Sequence, residues 1–388
     1  MKKTALLLVL AAGFARADEP LRLDTHLDTP IHFGRAGWDI MTRHTYHDDM
    51  SQVDYPRMVE GGLDGGFFAL YTPQGPLTAE GYASARDWAL MRSVHIREMV
   101  AAHADRFELA FKADDAARIK AAGKRIVFQS IENSYPLGTD LSLLRTFYRL
   151  GVRMAGPAHF LDNQFADSAT DKPHWHGFSP LGKKWVAEMN RLGMIIDGSH
   201  SSDDVFDQML VLSKAPIILS HSGCKAIYDH PRNLDDGRIK KLAEKDGVIQ
   251  INSVYLIKHE SNEAMSAIDD RLEVIDQLTA DEQARLIADY QAASANDHRP
   301  RGNFDMFMQN LLHAIQVAGV DHVGIGADWD GGGGVIGMED VADLPKVTTA
   351  LKAAGYSDED VAKIWSGNVL RVMRAVEDVS SSMTGPSH

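Results

Sequence analysis

Residues 194–222 read MIIDGSHSSDDVFDQMLVLSKAPIILSHS and contain the pattern that decides the fold. A short apolar run at 194–198 is followed by an amphipathic stretch with helical spacing at 203–212, and a second apolar run follows at 216–220. Strand, helix and strand in this order form the repeating unit of a parallel sheet. Each apolar run also leads to a histidine, His200 after the first and His221 after the second.

The same alternation recurs along the chain and predicts eight strands. They lie at residues 21–28, 66–71, 125–131, 152–158, 194–198, 216–220, 248–252 and 322–326. Amphipathic stretches separate them, for example at 87–104, 141–150, 180–191 and 239–245. Eight such units over about 350 residues predict a single (β/α)8 TIM barrel spanning residues 18–388.

The positions of glycine residues and one long segment between strands refine this prediction. A doubly wound open sheet usually carries a glycine fingerprint after its first strand, but here that strand ends in His26-Leu27-Asp28. The run 331–334 is all glycine and follows the eighth strand, so we interpret it as a barrel-top loop. Residues 255–302, between the seventh strand and a helix starting near Phe304, are charged and helix-prone and predict a helical insertion over the barrel rim.

The composition excludes several classes of function. The 40 Lys and Arg against 54 Asp and Glu give a net charge of 40 − 54 = −14, which disfavours binding to nucleic acid. The only cysteine, Cys224, permits neither an intrachain disulfide nor a thiolate zinc site. Any metal ion must therefore be held by His, Asp and Glu.

The amino terminus has the pattern of a signal peptide. Lys2 and Lys3 precede an apolar run at 5–14 that is too short to span a bilayer, and residues 15–17 read ARA, a small-residue cleavage site. We therefore expect residues 1–17 to be removed and the mature protein to be periplasmic or secreted, without a membrane anchor. An uncleaved amino-terminal anchor is the alternative.

Residues that can bind metals follow most of the predicted strands. In parallel barrels the chemistry lies at the carboxyl ends of the strands, so these residues are expected to converge. They are His26 and Asp28 at the end of strand one, Glu132 after strand three, His159 after strand four, His200 after strand five, His221 after strand six, and Asp328 and Asp330 after strand eight.

The spacing of these residues suggests two metal ions. His26 and Asp28 are two apart and face the same side of a strand, so they can share one ion. His200 and His221 end neighbouring strands and can meet on a second ion, while Glu132 can bridge the two. Nitrogen and oxygen ligands without sulfur suit Zn²⁺, with Mn²⁺ or Co²⁺ as substitutes. A single buried histidine is more often a core residue, but capping or packing poorly explains five ligand-type groups at one end of the strands.

Several motifs give the chain a specific resemblance. It resembles the membrane dipeptidase (renal dipeptidase) family of metallopeptidases over almost the whole mature sequence. The motifs are DTHLD at 24–28, FSPLG at 178–182, MNRLGMIIDGSH at 189–200, SKAP at 213–216, SHS at 220–222, DHPRN at 229–233, GIGADWDG at 324–331 and GNVLRV at 367–372.

The resemblance implies roles for individual residues. The binuclear zinc site would consist of His26, Asp28, bridging Glu132, His200 and His221, the same set reached from the strand ends. The motif match further implies that His159 contacts the substrate, that Arg232 binds the substrate's carboxylate, and that Asp328 transfers a proton during hydrolysis. A tyrosine after the seventh strand often lines the family's pocket, and Tyr255 lies near that position.

These assignments predict a mechanism for cleaving dipeptides. Two bound ions would supply a shared hydroxide for attack on the amide carbonyl, Asp328 would carry its proton to the departing amine, and His159 would stabilise the oxyanion. Asp330, two residues on, is an equal candidate for the proton carrier. Arg232 suits capture of a free α-carboxylate, although a surface ion pair with Asp235 or Asp236 is the alternative.

Other functions remain open at this stage. A different metal-dependent barrel amidohydrolase, such as a lactonase or amidase, usually begins with His-x-His and uses a bridging lysine, and neither occurs at 26–28 or 152–159. A non-catalytic exported metal-binding protein is the second alternative. The family resemblance implies small dipeptide substrates, including those with a D-residue at the carboxyl-terminal position, and a homodimer is the default expectation.

Overall fold

The computed structural model describes residues 19–258, 260, 262–295 and 297–384. The predicted signal peptide, residues 1–17, lies outside these described residues. The strands within the described part of the chain are β1 (Leu23–Leu27), β2 (Gly65–Leu70), β3 (Phe107–Leu109), β4 (Arg125–Ile131), β5 (Val152–Ala155), β6 (Ile195–Ile196), β7 (Ile218–Cys224), β8 (Asn233–Leu234), β9 (Val248–Ile251) and β10 (Val323–Ile325).

Eight of these strands form a closed ring, and the fold is the predicted (β/α)8 barrel. Parallel pairs run in the order β1, β2, β4, β5, β6 on one side and β7, β9, β10 on the other. Parallel bridges join the two arcs, one from Asp197 to Ile218 and one from Leu27 to Trp329. The Asp28 backbone N–H donates to the Trp329 carbonyl at 2.9 Å and so closes the ring between the first and last strands.

Each of the eight predicted strands overlaps an observed one; the bounds of β4 agree with the prediction and those of the other seven differ. Strands β1, β5 and β6 are shorter than the apolar runs, because their outer residues turn into loops. Strand β7 instead continues to Cys224, because its end pairs with β8, where Gly223 faces Asn233. His221 therefore lies inside a strand, whereas the sequence placed it after one. The patterns missed β3 and β8, which contain three and two residues.

The helices surround the ring and alternate with its strands. Their bounds are α1 (Pro30–Phe33), α2 (Tyr46–Asp49), α3 (Tyr55–Gly61), α4 (Ala79–Ala102), α5 (Asp115–Ala121), α6 (Ser142–Leu150), α7 (Pro180–Leu192), α8 (Asp203–Leu212), α9 (Asp236–Glu244), α10 (Glu263–Leu272), α11 (Ala280–Ser294), α12 (Phe304–Ala318), α13 (Pro345–Ala353), α14 (Asp358–Ala362) and α15 (Asn368–Thr384).

Local capping explains where the helices between β5 and β7 start and stop. The Ser179 side chain accepts from the Gly182 N–H and Pro180 occupies the first turn, so α7 begins there. It ends at Gly193, whose φ of 78° is left-handed and suits glycine. The Ser202 side chain accepts from the Val205 N–H and starts α8 in the same way. These caps fix the path of the chain that delivers His200 to the barrel mouth.

The segment between β9 and α12 is helical, as its sequence predicts. It contains α10, a 3-10 turn at Ile275–Gln277 and α11. These elements share a small apolar core with the loops after β1 that includes Ile31, Met50, Met265, Ile268, Leu272, Ile275, Leu286 and Tyr290. The insertion is thus packed onto the barrel through apolar contacts. Among the described residues, no helix combines the length and hydrophobicity that crossing a membrane requires.

Candidate active site

Strand β1 places two ligand-type side chains at the mouth of the barrel. His26 lies in β1 and Asp28 follows it, and His26 Nε2 is 3.2 Å from Asp28 Oδ2. Both residues are buried, at 1% and 4% exposure. The Asp24 carboxylate accepts from the backbone N–H groups of His26 and Ala327, at 2.9 and 3.1 Å. Asp24, which sequence reasoning missed, therefore fixes the end of β1 against the loop after β10.

Glu132 lies at the centre of the cluster. It directly follows β4, and its Oε1 atom faces the imidazoles of four histidines. The distances to Nε2 are 3.2 Å for His159, 3.2 Å for His200, 3.7 Å for His26 and 3.7 Å for His221. Residues separated by almost two hundred positions in the sequence are thus gathered around one carboxylate oxygen.

His200 and His221 come from neighbouring strands and face each other. Their Nε2 atoms are 2.8 Å apart, and His200 has a left-handed φ of 65° in the turn after β6. His221 Nδ1 lies 2.8 Å from Ser220 Oγ, which donates its own hydrogen to Asp197. Ser220 must then accept from the Nδ1–H of His221, so the Nε2 lone pair of His221 points into the cluster.

Asp197 also joins the ends of β6 and β7. Its Oδ1 accepts from the backbone N–H groups of Ser199 and Ser220, at 2.9 and 2.8 Å. Asp197 does not cap α8, because Ser202 does so and Asp197 binds the turn before it. The role of its buried carboxylate depends on a contact between two strands, which the sequence pattern around Asp197 does not indicate.

Asp328 and Asp330 have different surroundings. Asp328 Oδ1 is 3.9 Å from His26 Nε2, and the residue lines the same cavity as Glu132. The Asp330 carboxylate instead accepts from Thr29 Oγ1 at 2.7 Å and from the Gln52 N–H at 2.6 Å. Both residues line the cavity, but the contacts of Asp330 with Thr29 and Gln52 make the two carboxylates unequal candidates for proton transfer. Both residues have left-handed φ values, 70° and 65°, so the strand-like alternation does not extend to them.

Arg232 is buried, so a surface ion pair with Asp235 or Asp236 does not account for it. It is 2% exposed, and one of its terminal nitrogens donates to the His221 carbonyl oxygen at 3.1 Å. Its guanidinium carbon lies 5.2 Å from the ring centre of Tyr255, which lines the cavity. The Asp235 side chain binds Arg238 instead.

A cavity opens onto the cluster from the solvent side. Tyr71, Phe160, Tyr255 and the insertion residues Asp269, Leu272 and Glu273 line it, together with Asp28, Glu132, His159, His200 and Asp328. The His159 ring lies between two aromatic rings, with centroid distances of 4.9 Å to Tyr71 and 3.9 Å to Phe160. Sequence reasoning missed Tyr71 and Glu273, because nothing in the sequence around either residue indicates that the two meet.

The chain matches the family model described as Membrane dipeptidase (Peptidase family M19) over residues 17–387. It belongs to this family of metallopeptidases.

Relatives and solved structures agree with that placement. The chain is 33% identical to a dipeptidase named tcpJ from Claviceps purpurea, over 93% of this chain and 78% of that protein. A probable dipeptidase named PvdM from Pseudomonas aeruginosa superimposes with a TM-score of 0.78 at 29% identity, covering 93% of this chain and 96% of that one.

A further solved structure carries a bound ligand. It is a metallopeptidase from Rhodobacter sphaeroides with a phosphinate mimic of the dipeptide L-Ala-D-Ala, with a TM-score of 0.73 at 25% identity. It covers 92% of this chain and 100% of that one. This member of the membrane dipeptidase family is accordingly a hydrolase, a metallo-dipeptidase.

Burial and nearby positive charges keep two histidines of the dipeptidase site neutral. Burial lowers the pKa of His200 well below its usual value, and the positive charge of Arg232 lowers it further. The pKa of His221 is likewise well below its usual value because of burial and the charge of His26. Neutral imidazoles are the form that binds metal ions.

The pKa values of two carboxyl groups of the site, Glu132 and Asp328, are shifted in opposite directions. Burial opposes ionisation of Glu132, but the positive charges of His159 and His26 outweigh it and hold its pKa well below the usual value. Burial raises the pKa of Asp328 well above the usual value, against the opposing charge of His26. Glu132 is therefore an ionised carboxylate at neutral pH, the form that can bind a metal ion.

Proposed function

We propose that this metallo-dipeptidase cleaves dipeptides at a pair of divalent cations, with Zn²⁺ as the metal that its donor set suits best. The observation that carries the proposal is the position of Glu132 Oε1 within 3.7 Å of four imidazole nitrogens. Imidazole and carboxylate donors without thiolate favour Zn²⁺ and accept Mn²⁺ or Co²⁺.

The donor atoms themselves fit metal ions. Within the described residues, both ring nitrogens of His26, Asp28 Oδ1 and His200 Nδ1 are buried and lack a hydrogen-bond partner. Buried polar atoms without partners are costly, so such a group needs a ligand. Three sets of ligand atoms lie within 4.8 Å of one another: His26 with Asp28 and Glu132, His26 with His221 and Asp328, and Glu132 with His159 and His200.

We assign His26, Asp28, Glu132, His200 and His221 as the residues that would hold the ions. Two bound cations would polarise the scissile carbonyl and lower the pKa of a shared water toward neutrality, which supplies the hydroxide for hydrolysis. The remaining residues of the site then have to move the proton, stabilise the carbonyl oxygen and orient the peptide.

Asp328 is assigned to proton transfer. Its carboxylate borders the cavity beside His26, while the Asp330 carboxylate is occupied by Thr29 and Gln52. A carboxylate in this position can take a proton from the nucleophile and give it to the departing amine. His159, whose Nε2 faces the cavity next to Glu132, is assigned to donate a hydrogen bond to the carbonyl oxygen as negative charge develops there.

Arg232 is assigned to the α-carboxylate of the substrate. Its Nε is buried without a hydrogen-bond partner among the described residues, and its guanidinium borders Tyr255 at the cavity wall. A planar guanidinium can bind a carboxylate through two donors. Such binding restricts cleavage to the bond that precedes a carboxyl-terminal residue, as a dipeptidase requires.

We further propose that the enzyme accepts a D-residue at the carboxyl-terminal position, as the ligand of the Rhodobacter sphaeroides relative suggests. Zinc analysis together with assays on alanyl-L-alanine and alanyl-D-alanine tests these proposals. We expect metal-dependent cleavage of both peptides, abolished by a chelator and restored by zinc. Full turnover in the demetallated protein would contradict the two-cation proposal.

Export to the periplasm or the cell exterior after removal of residues 1–17 remains our proposal for location. Its support is the basic, apolar and small-residue pattern at the amino terminus. Sequencing the amino terminus of the protein recovered from the producing cells tests it. A mature protein that starts near Asp18 is expected, and a protein that retains residues 1–17 would contradict cleavage.

A further inference from the structure

A dipeptide has a positive α-ammonium group, separated by one carbon atom from the carbonyl that is attacked. The residues assigned above bind its carboxylate and its carbonyl oxygen, but none of them binds this ammonium group. An unpaired positive charge in a half-enclosed cavity is costly, so a counter-charge is needed beside the cluster. The following inference rests on the proposed function and its orientation of the peptide.

Most carboxylates that line the cavity are already engaged. Asp28, Glu132 and Asp328 belong to the metal and proton-transfer centre, and Asp330 is bound by Thr29 and Gln52. The two others come from the insertion helix α10 and its end. They are Asp269 and Glu273, four positions apart and therefore on one face of the helix.

Glu273 is connected to the metal and proton-transfer centre through Tyr71 and His159. Its Oε2 accepts from the Tyr71 hydroxyl at 2.8 Å. The Tyr71 ring in turn lies 4.9 Å from the ring of His159, whose Nε2 is 3.2 Å from Glu132 Oε1. Among the described residues no donor contacts Glu273 Oε1. One aromatic ring thus separates the cluster from a carboxylate that has a free oxygen.

A buried arginine holds Glu273 in this position. Arg92 is fully buried, and its guanidinium donates to the backbone carbonyls of both Tyr71 and Glu273, the latter at 2.8 Å. The same guanidinium forms an ion pair with Asp276 at 3.0 Å. It therefore ties the end of β2 to the end of α10. A carboxylate anchored in this way is preorganised, so it loses little conformational entropy when it binds an ammonium group.

Asp269 is less suited to this role. It lies one turn earlier on α10, borders a second cavity as well as the first, and has the positive charge of Arg299 acting on its carboxylate. A carboxylate that already has a cation nearby attracts a further cation more weakly.

We propose that Glu273, oriented by Tyr71, binds the α-ammonium group of the dipeptide and makes the enzyme selective for peptides with a free amino terminus. Its free oxygen accepts a charge-assisted hydrogen bond from the ammonium group. Hydrogen bonds of this kind correspond to a factor of about 10 to 100 in binding. Together with Arg232 at the other end of the peptide, this residue defines a substrate of two residues.

The test compares alanylglycine with propionylglycine, which differs only by lacking the ammonium group. The KM of alanylglycine and the inhibition constant of propionylglycine are measured for the zinc-loaded wild type, for Glu273→Gln and for Asp270→Asn. Asp270 lies on the same helix and is exposed, so its variant removes an equal charge outside the cavity. Zinc content and melting temperature are recorded for each protein.

In the wild type and in Asp270→Asn we expect propionylglycine to bind about 10- to 100-fold more weakly than alanylglycine. In Glu273→Gln the difference should shrink at least several-fold, through weaker binding of alanylglycine alone. Should Glu273→Gln not fold, Tyr71→Phe, which removes only the hydroxyl that orients Glu273, should produce a smaller change in the same direction.

Two results would overturn the inference while leaving the proposed function intact. One is equal weakening of both ligands in Glu273→Gln at unchanged zinc content, which indicates a structural role. The other is equal binding of both ligands by the wild type, which shows that the ammonium group is not recognised. A zinc-loaded wild type that cleaves no dipeptide would instead contradict the proposed function and the inference with it.

Discussion

At the scale of single residues, the neighbours of a side chain decide its role more than its position in the sequence does. Asp328 and Asp330 are two residues apart and both line the cavity, but Asp328 lies beside His26 whereas the Asp330 carboxylate accepts from Thr29 and Gln52. Both positions have left-handed φ values, so the alternation of side chains along a strand does not apply to them. This difference leads to distinct predictions for the two carboxylates.

Replacing Asp328 by Asn removes the group that accepts and returns the proton while keeping its size. We expect zinc content to stay unchanged and kcat to fall by about 100-fold or more, the usual cost of losing acid–base catalysis. Steady-state kinetics and elemental analysis of the purified variant measure both. Asp330→Asn is the control and should mainly lower the melting temperature. Near-normal turnover of Asp328→Asn would remove Asp328 from proton transfer.

Replacing Arg232 by Lys keeps the charge but removes the planar fork of donors. We expect the KM for dipeptides to rise about 10-fold or more, with kcat changed much less, because the lost contact is the same in the ground and transition states. Dipeptides with an amidated carboxyl terminus serve as the comparison, and their KM should hardly change. An unchanged KM for the free dipeptides would exclude carboxylate recognition by Arg232.

At the scale of secondary-structure elements, paired strand ends orient the ligands. Asp197, after β6, binds Ser220 in β7, and Ser220 fixes the ring of His221. Such outer contacts typically contribute a factor of about 10 to 100 in metal affinity. We therefore expect Ser220→Ala to bind zinc more weakly by about this factor, measured by competition with a chelator.

Ser201→Ala is the matched control for Ser220→Ala. The Ser201 hydroxyl is buried, and within the described residues it has no hydrogen-bond partner. Removing it should therefore leave the zinc affinity close to that of the wild type. Equal affinities of Ser220→Ala and Ser201→Ala would show that the contact between Ser220 and His221 does not orient the ligand.

The insertion depends on the buried ion pair between Arg92 in α4 and Asp276, both of which are 0% exposed at their side chains. The Trp88 indole N–H also donates to Asp276, at 3.1 Å. Breaking a buried pair leaves an uncompensated charge, which costs about 3–5 kcal/mol. We expect Asp276→Ala to lower the free energy of unfolding by this amount in urea titrations. A loss below about 1 kcal/mol, the level of an exposed pair, would contradict the anchoring role.

At the scale of the whole molecule, the two metal ions that we propose would stabilise the folded chain, because only the folded chain can bind them. The cluster joins residues from β1, β4, β6 and β7, so bound ions connect opposite sides of the barrel. Free metal at about 1,000 times its dissociation constant adds about 4 kcal/mol of stability. We expect demetallation to lower the melting temperature and zinc to restore it. Identical melting curves with and without zinc would contradict this coupling.

Much of the fold, and the meeting of the candidate ligands at one end of the barrel, could be predicted from the sequence, because both depend on local patterns. Apolar runs located all eight barrel strands, and the residues that follow or end these runs are the ones that meet around Glu132. The parallel arrangement requires this convergence, since carboxyl ends share one face of the barrel.

The remaining features depend on contacts between distant residues. The hydrogen bond from Tyr71 to Glu273 spans 202 positions, and the Arg92 contact with Asp276 spans 184. Neither the sequence spacing nor the local composition of these residues indicates that they are in contact. The separation of Asp328 from Asp330 likewise depends on backbone dihedral angles that strand alternation does not predict.

The central proposal is that His26, Asp28, Glu132, His200 and His221 would together hold two metal ions, with Glu132 shared between them. Its most direct test is a crystal structure of the zinc-loaded enzyme with anomalous data collected at the zinc edge. The account predicts two anomalous peaks, one on each side of the Glu132 carboxylate, separated by about 3.5–4 Å. A single peak, or peaks away from Glu132, would contradict it.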